Sequence, residues 1–249
     1  MKLFSFLSSK PKHLDKDIDL SVLENDLHSH LIPGVDDGSK SIEESIELIK
    51  GLKSFGFKKL ITTPHLFYNS FPEGIGVLDT KLEELKKAVK ENNIDIELEV
   101  GCELMLDDEV KQRIADKEIK AFSDNYLLFE IPMHNEVYGL ENWLFELQLE
   151  GYNLIIAHPE RYSYFFKNKK KIEEIRDRGV LMQLNTISLS GYYGKDVMEN
   201  AQWMVENRLI DLIGSDCHGQ RHIDALKNTL RNPYLKKLID SGDLKNNTL

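Results

Sequence analysis

The chain has 249 residues, 41% of them hydrophobic and 30% charged, and its net charge is −10 from 42 acidic and 32 basic residues. This composition is typical of a soluble protein, and the length suits one α/β barrel. The acidic balance argues against a nucleic-acid-binding protein, yet an anionic substrate stays possible because bound cations would reverse the local charge.

Residues 1–20 precede the first predicted strand, and we expect them to form a flexible N-terminal arm. Their apolar stretch is shorter than the roughly 7–15 residues of a secretory signal. No apolar run approaches the ~20 residues of a membrane span, so we expect no membrane insertion. Cys102 and Cys217 are too few for a disulfide framework, and neither begins a Cys-x5-Arg loop, which excludes a thiolate phosphatase. We predict a cytoplasmic protein with one domain over 21–249.

Strand-like and helical patterns alternate from residue 21 onward. Short apolar runs predict strands at 22–28, 58–63, 95–101, 125–130, 153–157, 179–184 and 210–214. Apolar residues spaced three and four apart predict helices at 41–55, 76–92, 107–118, 139–150, 168–178, 195–208 and 222–230. Seven βα repeats favour a parallel α/β barrel. An open doubly wound sheet is the alternative, but it would gather functional residues only near its switch point.

Nearly every predicted strand ends in a residue that can bind a hard metal ion. In chain order these residues are His28, His30, His65, Glu103, Glu130, His158, Asp216 and His218. A parallel barrel gathers the C-terminal ends of its strands at one mouth. Five imidazoles and at least three carboxylates would meet there. Because these are too many ligands for one ion, the sequence predicts a multinuclear metal site.

Local spacing supports the same interpretation. His28 and His30 are alternate residues of one strand, so both imidazoles can reach one metal ion. The Gly-rich turn at 33–39 adds Asp36 and Asp37 just before a helix, for which Ser39 or Ser41 would be the N-cap and Glu44 its capping partner. By contrast, we expect His222 to be a solvated or capping residue outside the site.

Four motifs resemble those of a known family. They are residues 26–38 (DLHSHLIPGVDDG), 63–65 (TPH), 157–162 (AHPERY) and 214–218 (GSDCH). The chain resembles the polymerase and histidinol phosphatase (PHP) superfamily from about residue 22 to 230. More narrowly, it resembles the bacterial metal-dependent protein-tyrosine phosphatases of capsule and exopolysaccharide biosynthesis. The resemblance implies a distorted (β/α)7 TIM-like barrel that holds three metal ions, usually manganese, with iron or zinc as alternatives.

The resemblance also implies roles for individual residues. The first metal ion would be held by His28, His30, Glu103 and Asp216. Glu103 would bridge to a second ion, which Glu130 and His158 complete, and the third would be held by Asp37, His65 and His218. Arg161 matches the phosphate-binding arginine of the family, and Arg221 is the nearest candidate for a second one. Asp26 and Glu160 would orient imidazoles, and Asp216 or a metal-bound water would be the acid.

The predicted βα loops are rich in aromatic residues that could stack on a phosphotyrosine ring. They are Phe67, Tyr68, Phe71, Tyr138, Tyr162, Tyr164, Phe165, Phe166, Tyr192 and Tyr193. Packing beneath their own loops is the alternative for half or more of them.

Three functions remain open at this point. The first, implied by the resemblance, is dephosphorylation of a protein phosphotyrosine tail, that of a membrane-bound bacterial tyrosine kinase. The second is a small-molecule phosphatase, such as a histidinol-phosphate phosphatase, on the same scaffold. The third is a non-catalytic metal-binding module for assembly of the export machinery.

Overall fold

The computed structural model describes residues 13–67, 70–71, 74–107 and 109–249. Within them the strands are β1 (Asn25–Asp26), β2 (Lys59–Thr62), β3 (His65–Leu66), β4 (Glu97–Val100), β5 (Glu103–Met105), β6 (Tyr126–Glu130), β7 (Asn153–Ala157), β8 (Leu181–Asn185) and β9 (Leu212–Gly214). The helices are α1 (Ile42–Lys53), α2 (Val77–Glu91), α3 (Val110–Asp116), α4 (Leu140–Leu149), α5 (Lys170–Arg176), α6 (Lys195–Glu206), α7 (Gln220–Thr229) and α8 (Pro233–Ser241).

All the strand pairs are parallel and together they form a distorted barrel. One sheet has the order β1-β2-β4 and the other the order β3-β5-β6-β7-β8-β9. The segment after β9 pairs with the segment after β1 through a parallel bridge between Cys217 and Ser29, and this bridge closes the barrel. Two backbone hydrogen bonds support this closure: the Asp216 N–H donates to the His28 carbonyl at 2.8 Å, and the His30 N–H donates to the Cys217 carbonyl at 3.0 Å. The predicted (β/α)7 barrel is therefore confirmed.

Two of the seven predicted strands, at 58–63 and 95–101, are each followed by a second short strand beyond the predicted end. β2 and β3 are separated at Pro64, which has no N–H to donate to a ladder. β4 and β5 are separated at Gly101, where a Cβ atom would lie 2.5 Å from the Phe122 ring. Each break directs the following residues, His65 and Glu103, toward the mouth in register with each other.

The helices follow the predicted order, and their ends show the expected chemistry. Ser41 is the N-cap of α1, and its side chain accepts a hydrogen bond from the Glu44 N–H. Glu44 in turn accepts from the Lys40 N–H at 2.8 Å. The helices pack around the barrel through the larger apolar cluster, whereas a smaller cluster of strand residues fills the interior. None of the helices in the described part of the chain is long and apolar enough to cross a membrane.

The end of the barrel opposite the mouth is closed by Asn246. Its side-chain amide donates to the Asn25 carbonyl at 3.1 Å and to the Ile213 carbonyl at 2.7 Å. Its Oδ1 atom accepts from the Ile213 N–H at 3.1 Å. One buried side chain thus bridges β1 and β9 where these two strands share no ladder.

The predicted arm lies partly outside the described residues, which begin at 13. The Leu14 N–H donates to the Arg231 carbonyl, and the Ile18 N–H to the Leu230 carbonyl. Leu20 is buried in the larger core cluster. These contacts hold residues 14–20 against the α7–α8 connection, while the division into an arm and one domain stays a prediction.

Candidate metal centre

All nine ligands predicted from the sequence come together at the mouth of the barrel. They form four overlapping groups whose ligand atoms lie within 4.8 Å of one another. The groups are His30, Asp37, His65 and His218; His28, His30 and Glu103; His28, His158 and Asp216; and His65, Glu103 and Glu130. Only Asp37, His65 and His218 are not fully buried. The structure therefore provides a buried cluster of imidazoles and carboxylates that is exposed on one side.

The deepest group is His28, His30 and Glu103, and Asp216 lies beside its two imidazoles at the spacing of metal ligands. The Nε2 atoms of His28 and His30 are 3.3 Å apart. Glu103 Oε2 lies 3.4 Å from His28 Nε2 and 3.6 Å from His30 Nε2. Asp216 Oδ1 lies 3.3 and 3.4 Å from the same two nitrogens. Ligands bound at about 2.1 Å in a tetrahedron stand about 3.4 Å apart, so these five separations fit atoms that bind one ion.

An amide relay on β8 sets the orientation of His28. Asn185 Nδ2 donates to Asp216 Oδ2 at 2.6 Å, and Gln183 Nε2 donates to Asn185 Oδ1 at 3.0 Å. Gln183 Oε1 is thereby left as an acceptor 2.9 Å from His28 Nδ1. Because the carboxylate at one end can only accept, the relay assigns the hydrogen to Nδ1 and leaves the Nε2 lone pair for a cation.

Asp36 sets the orientation of His30 in the same way. Its Oδ2 atom lies 2.7 Å from His30 Nδ1, which must carry the hydrogen of that bond. The Gly38 N–H donates to Asp36 Oδ1 at 2.9 Å and keeps the carboxylate in place. Two imidazole lone pairs then face the carboxylates of Glu103 and Asp216, an arrangement that needs a bound cation or protons between these groups.

A second group contains buried polar atoms without hydrogen bonds. His65 Nδ1 lies 3.0 Å from Glu103 Oε2 and 3.1 Å from Glu130 Oε1. Within the described residues, none of these three atoms has a hydrogen-bond partner. His158 Nε2 lies 2.9 Å from the other Glu103 oxygen. Glu103 thus faces both groups, as a bridging carboxylate would.

The third group lies at the open side. Asp37 Oδ1 is 3.5 Å from His65 Nε2 and 3.3 Å from His218 Nε2. The rings of His30 and His218 stack at 3.7 Å. His65 therefore stands between two groups, with one nitrogen facing Asp37 and the other facing the buried carboxylates.

The carboxylates give this cluster of ligands a negative electrostatic potential. Burial alone would lower the pKa of His28, but Glu103 and Asp216 outweigh it and raise the pKa to about 9. In the same way, Glu103 and Glu130 overcome burial and raise the pKa of His65 to about 11. When no metal ion is bound, these imidazoles take up protons, so protons and metal ions compete for the same nitrogens.

Arg161 lies beside the deepest group. Its Nη1 donates to Asp216 Oδ2 at 3.0 Å, and its guanidinium lies 4.2 Å from the centre of the Tyr193 ring. Arg221, by contrast, is exposed on the first turn of α7, and its side chain makes no hydrogen bond or ion pair within the described part of the chain. The two candidate arginines are therefore in unlike surroundings.

Two residues expected to orient imidazoles form no hydrogen bond to any imidazole of the described residues. Asp26 accepts from the N–H and the hydroxyl of Ser215 at 2.8 and 2.6 Å. Glu160 accepts from the Asn185 N–H at 3.1 Å and from the Ser188 hydroxyl at 2.7 Å. Both carboxylates brace the loops that follow β8 and β9, so the sequence-based prediction of their partners was wrong.

Sequence reasoning also missed some residues. His222 contacts the site, because the His218 N–H donates to its Nδ1 at 2.9 Å. Burial lowers the pKa of His222 to about 4, so it stays a neutral acceptor. His218 lies just before α7 and His222 lies in its first turn, so the four-residue spacing across the start of that helix was the available signal. Gln183 was missed as well, and only the alternation of Gln183 and Asn185 along one strand pointed to it.

The aromatic residues of the loops differ widely in exposure. Tyr162 and Phe165 are fully buried beneath their own loop. Phe67 is 40% exposed and stacks on His65 at 4.8 Å, and Tyr192 is 42% exposed beside His222 at 5.2 Å. Tyr68 lies outside the described residues.

Comparison with known proteins gives a consistent result. The family described as "Capsular polysaccharide synthesis, CpsB/CapC" matches residues 24–242. The chain is 34% identical over 221 residues to CapC of Staphylococcus aureus, which is named a tyrosine-protein phosphatase, covering 88% of this chain and 84% of that protein. It is 28% identical over 221 residues to the tyrosine-protein phosphatase CpsB of Streptococcus pneumoniae, covering 86% and 88%.

A solved structure is similar over the same extent. It comes from crystal structures of YwqE from Bacillus subtilis and CpsB from Streptococcus pneumoniae, described as metal-dependent tyrosine phosphatases. The TM-score is 0.78 with 26% sequence identity, and the match covers 89% of each chain.

Proposed function

We infer the function from the family: the chain belongs to the CpsB/CapC family of capsular polysaccharide synthesis, and it is a metal-dependent protein-tyrosine phosphatase. The observation that carries this conclusion is the convergence of five imidazoles and four carboxylates at the barrel mouth, with Arg161 beside them. Such a cluster is suited to hydrolysis of a phosphate ester.

We propose that the nine residues hold three metal ions, as the resemblance implies. The first ion would be bound by His28, His30, Glu103 and Asp216, and the second by Glu103, Glu130 and His158. The third would be bound by Asp37, His65 and His218. When bound, the ions supply a water activated near neutral pH and positive charge for the phosphoryl oxygens. Manganese is the expected metal, and the mixed nitrogen and oxygen ligands also suit iron or zinc.

The proposed task of Arg161 is to bind the phosphoryl group. Its planar fork can grip two oxygens at once, and 24% of its side chain stays exposed to an incoming substrate. Arg221 would contact the phosphate only at the rim, because its side chain is exposed. Its role is therefore the weaker proposal of the two.

Asp216 is better suited to staying ionised than to donating a proton. Burial would raise the pKa of its carboxyl, but His28, His218 and His30 hold that pKa well below its usual range. Its Oδ2 atom also accepts from Arg161 and Asn185. A tyrosine leaving group with a pKa of ~10 departs with less need of an acid than an alkyl alcohol does. We therefore propose that Asp216 serves as ligand and anchor.

The proposed substrate is a phosphotyrosine tail of another protein, that of a membrane-bound tyrosine kinase. The exposed rings of Phe67 and Tyr192 support an aromatic substrate, because both contact residues of the site. We propose that the protein acts in the cytoplasm, where its two buried free cysteines would stay reduced.

Two other functions can be separated from this one by experiment. The test compares kcat/KM for a phosphotyrosine peptide with kcat/KM for histidinol phosphate, both measured with the same added manganese. The peptide is expected to be the better substrate, and phosphoserine peptides should be slower because their alkoxide leaves less readily. A higher value for histidinol phosphate would identify a small-molecule phosphatase. Metal binding without turnover of either substrate would identify a non-catalytic module.

Arg161 provides the control for this assay. Arg161→Ala should keep its metal content but lose about 10²–10³ in rate, the usual effect of removing one transition-state donor. Arg161→Lys should recover little, because an ammonium lacks the bidentate fork. Near-normal rates in both variants would mean that Arg161 only pairs with Asp216.

A further inference from the structure

The loop at residues 191–194 presents two adjacent tyrosines from a turn bounded by glycines. Gly191 has φ of +82° and ends the short 3-10 helix Thr186–Ser190, and Gly194 has φ of +101° just before α6. Both values favour glycine. Between them, the rings of Tyr192 and Tyr193 are nearly perpendicular, at 88° and 5.0 Å. The turn therefore sends one ring toward solvent and the other toward the site.

Tyr193 is the inner ring, and it contacts Arg161 and Asp216 together. The Arg161 guanidinium lies 4.2 Å from the ring centre, within the range of a cation–π contact. The Tyr193 hydroxyl lies 3.4 Å from Asp216 Oδ2, the oxygen that accepts from Arg161 Nη1 at 3.0 Å. The ring thus contacts the guanidinium while the carboxylate holds one corner of it.

We propose that Tyr193 is a positioning residue, whose ring holds the Arg161 guanidinium in the orientation that receives the substrate phosphate. This inference rests on the proposed phosphatase function. Arginine loses much side-chain freedom when it is fixed in one rotamer, so an unsupported Arg161 would sample many orientations. Asp216 is the sole hydrogen-bond acceptor of its side chain in the described structure, which leaves the other guanidinium donors for phosphoryl oxygens.

The ring should matter more than the hydroxyl. A hydroxyl–carboxylate distance of 3.4 Å is long for an O–H···O bond, whereas the ring contact is partly shielded from water. Asp216 also has closer donors in Arg161 and Asn185, at 3.0 and 2.6 Å. Tyr193→Phe should therefore behave like the wild type, and an aliphatic replacement should not.

The test uses the manganese-loaded enzyme and p-nitrophenyl phosphate. Tyr193→Leu should lower kcat/KM about ten-fold, the scale of a partly desolvated cation–π contact. The inhibition constant of inorganic phosphate should rise by a similar factor, with metal content unchanged. Tyr193→Phe should stay within about three-fold of wild type, since it keeps the ring. Equal losses in the Phe and Leu variants would overturn the role of the ring.

A double-mutant cycle separates positioning from general structural support. If Tyr193 acts through Arg161, then Tyr193→Leu should have no further effect in an Arg161→Ala background. A full ten-fold loss in that background would overturn the inference. Tyr193→Met also lacks a ring face, and its flexible side chain can fill an irregular gap. The same ten-fold loss is expected of it if the Leu variant loses metal or stability.

A remote tyrosine serves as the matched control. The Tyr234 hydroxyl also donates to a carboxylate, that of Glu206, at 3.2 Å. Tyr234 lies on α8, however, and Glu206 is the last residue of α6, so this pair is outside the proposed site. Tyr234→Leu should leave kcat/KM and phosphate inhibition unchanged. Wild-type enzyme without phosphatase activity would overturn the proposed function itself. Active wild type with an unaffected Tyr193→Leu would overturn only the positioning role.

Discussion

At the scale of single residues, the candidate site depends on which imidazole nitrogen carries a hydrogen. His28 and His30 both present Nε2 to the deepest group, because Gln183 and Asp36 accept from their Nδ1 atoms. The Gln183 acceptor is fixed by Asn185, whose own amide is fixed by a carboxylate. Two neutral amides thus set the orientation of His28, although neither is among the proposed metal ligands.

Gln183→Leu should therefore weaken metal binding without removing a ligand. Losing such an outer partner typically lowers metal affinity about 10- to 100-fold. The measurement is a manganese titration of the chelator-treated protein. Met182→Leu is the matched control, since Met182 is the adjacent residue of β8 and packs in the helix-facing core. Wild-type affinity in the Gln183 variant would mean that the relay does not orient His28.

Glu103 should be the most sensitive of the ligands. It is completely buried and faces His28, His30, His65 and His158 at 2.9–3.6 Å. Glu103→Ala removes the carboxylate shared by two groups, so more than one equivalent of metal should be lost together with the activity.

Elemental analysis and rate measurements check the Glu103 prediction. Glu99→Ala is the control, because Glu99 lies on the preceding strand and pairs with Lys59 near the surface. Full metal content and normal rates in Glu103→Ala would contradict a bridging role.

The sequence predicted the proposed metal ligands better than it predicted the residues that hydrogen-bond to them. All nine proposed ligands meet at the mouth, because strand ends converge in any parallel barrel. The partners of those ligands depend on the register between distant strands, which local patterns do not contain. Asp26 and Glu160 were therefore assigned to imidazoles that they do not touch, and Gln183 was overlooked.

At the scale of elements, apolar periodicity predicted the positions of seven strands but not the breaks that divide two of them from the short strands that follow. The breaks at Pro64 and Gly101 follow from one missing N–H and one close approach of Phe122. The second is a tertiary effect that an apolar run cannot reveal. α8 was missed because the predicted helices ended at 230, before its N-cap Asn232 and Pro233.

Barrel closure at the end away from the mouth could not be predicted from the sequence either, since it uses the buried side chains of Asn246 and Asn25 rather than a strand ladder. Asn246→Ala should destabilise the fold by about 1–3 kcal/mol, because buried backbone groups of Asn25 and Ile213 lose their partner. Urea unfolding measures this change, and the metal content of the folded fraction should stay normal. Asn207→Ala is the control, since Asn207 is exposed and its amide donates to the Trp203 carbonyl one turn earlier on the same helix. Equal stability of the two variants would contradict the closing role of Asn246.

At the scale of the whole molecule, the fold concentrates negative charge where it is most costly. Glu103, Glu130 and Asp216 are buried within one mouth of a chain whose net charge is −10. Burial and Glu103 together raise the pKa of Glu130 above its usual value. Like charges in a buried pocket oppose folding unless cations or protons neutralise them. The proposed metal ions should therefore stabilise the fold as well as supply the chemistry.

Removing the metal should lower the melting temperature, and the effect should depend on pH. Ions at about 1,000 times their dissociation constant contribute about 4 kcal/mol, or roughly 10 °C for a chain of this size.

Without metal, His28, His65 and His218 hold protons, because neighbouring carboxylates outweigh burial and raise their pKa values to about 9, 11 and 10. Metal binding releases these protons, so raising the pH favours the metal-bound form. The difference in melting temperature with and without manganese should accordingly be larger at pH 8 than at pH 6. Arg161→Ala keeps every ligand and should show the same dependence, whereas an equal difference at both pH values would mean that the imidazoles are not the metal ligands.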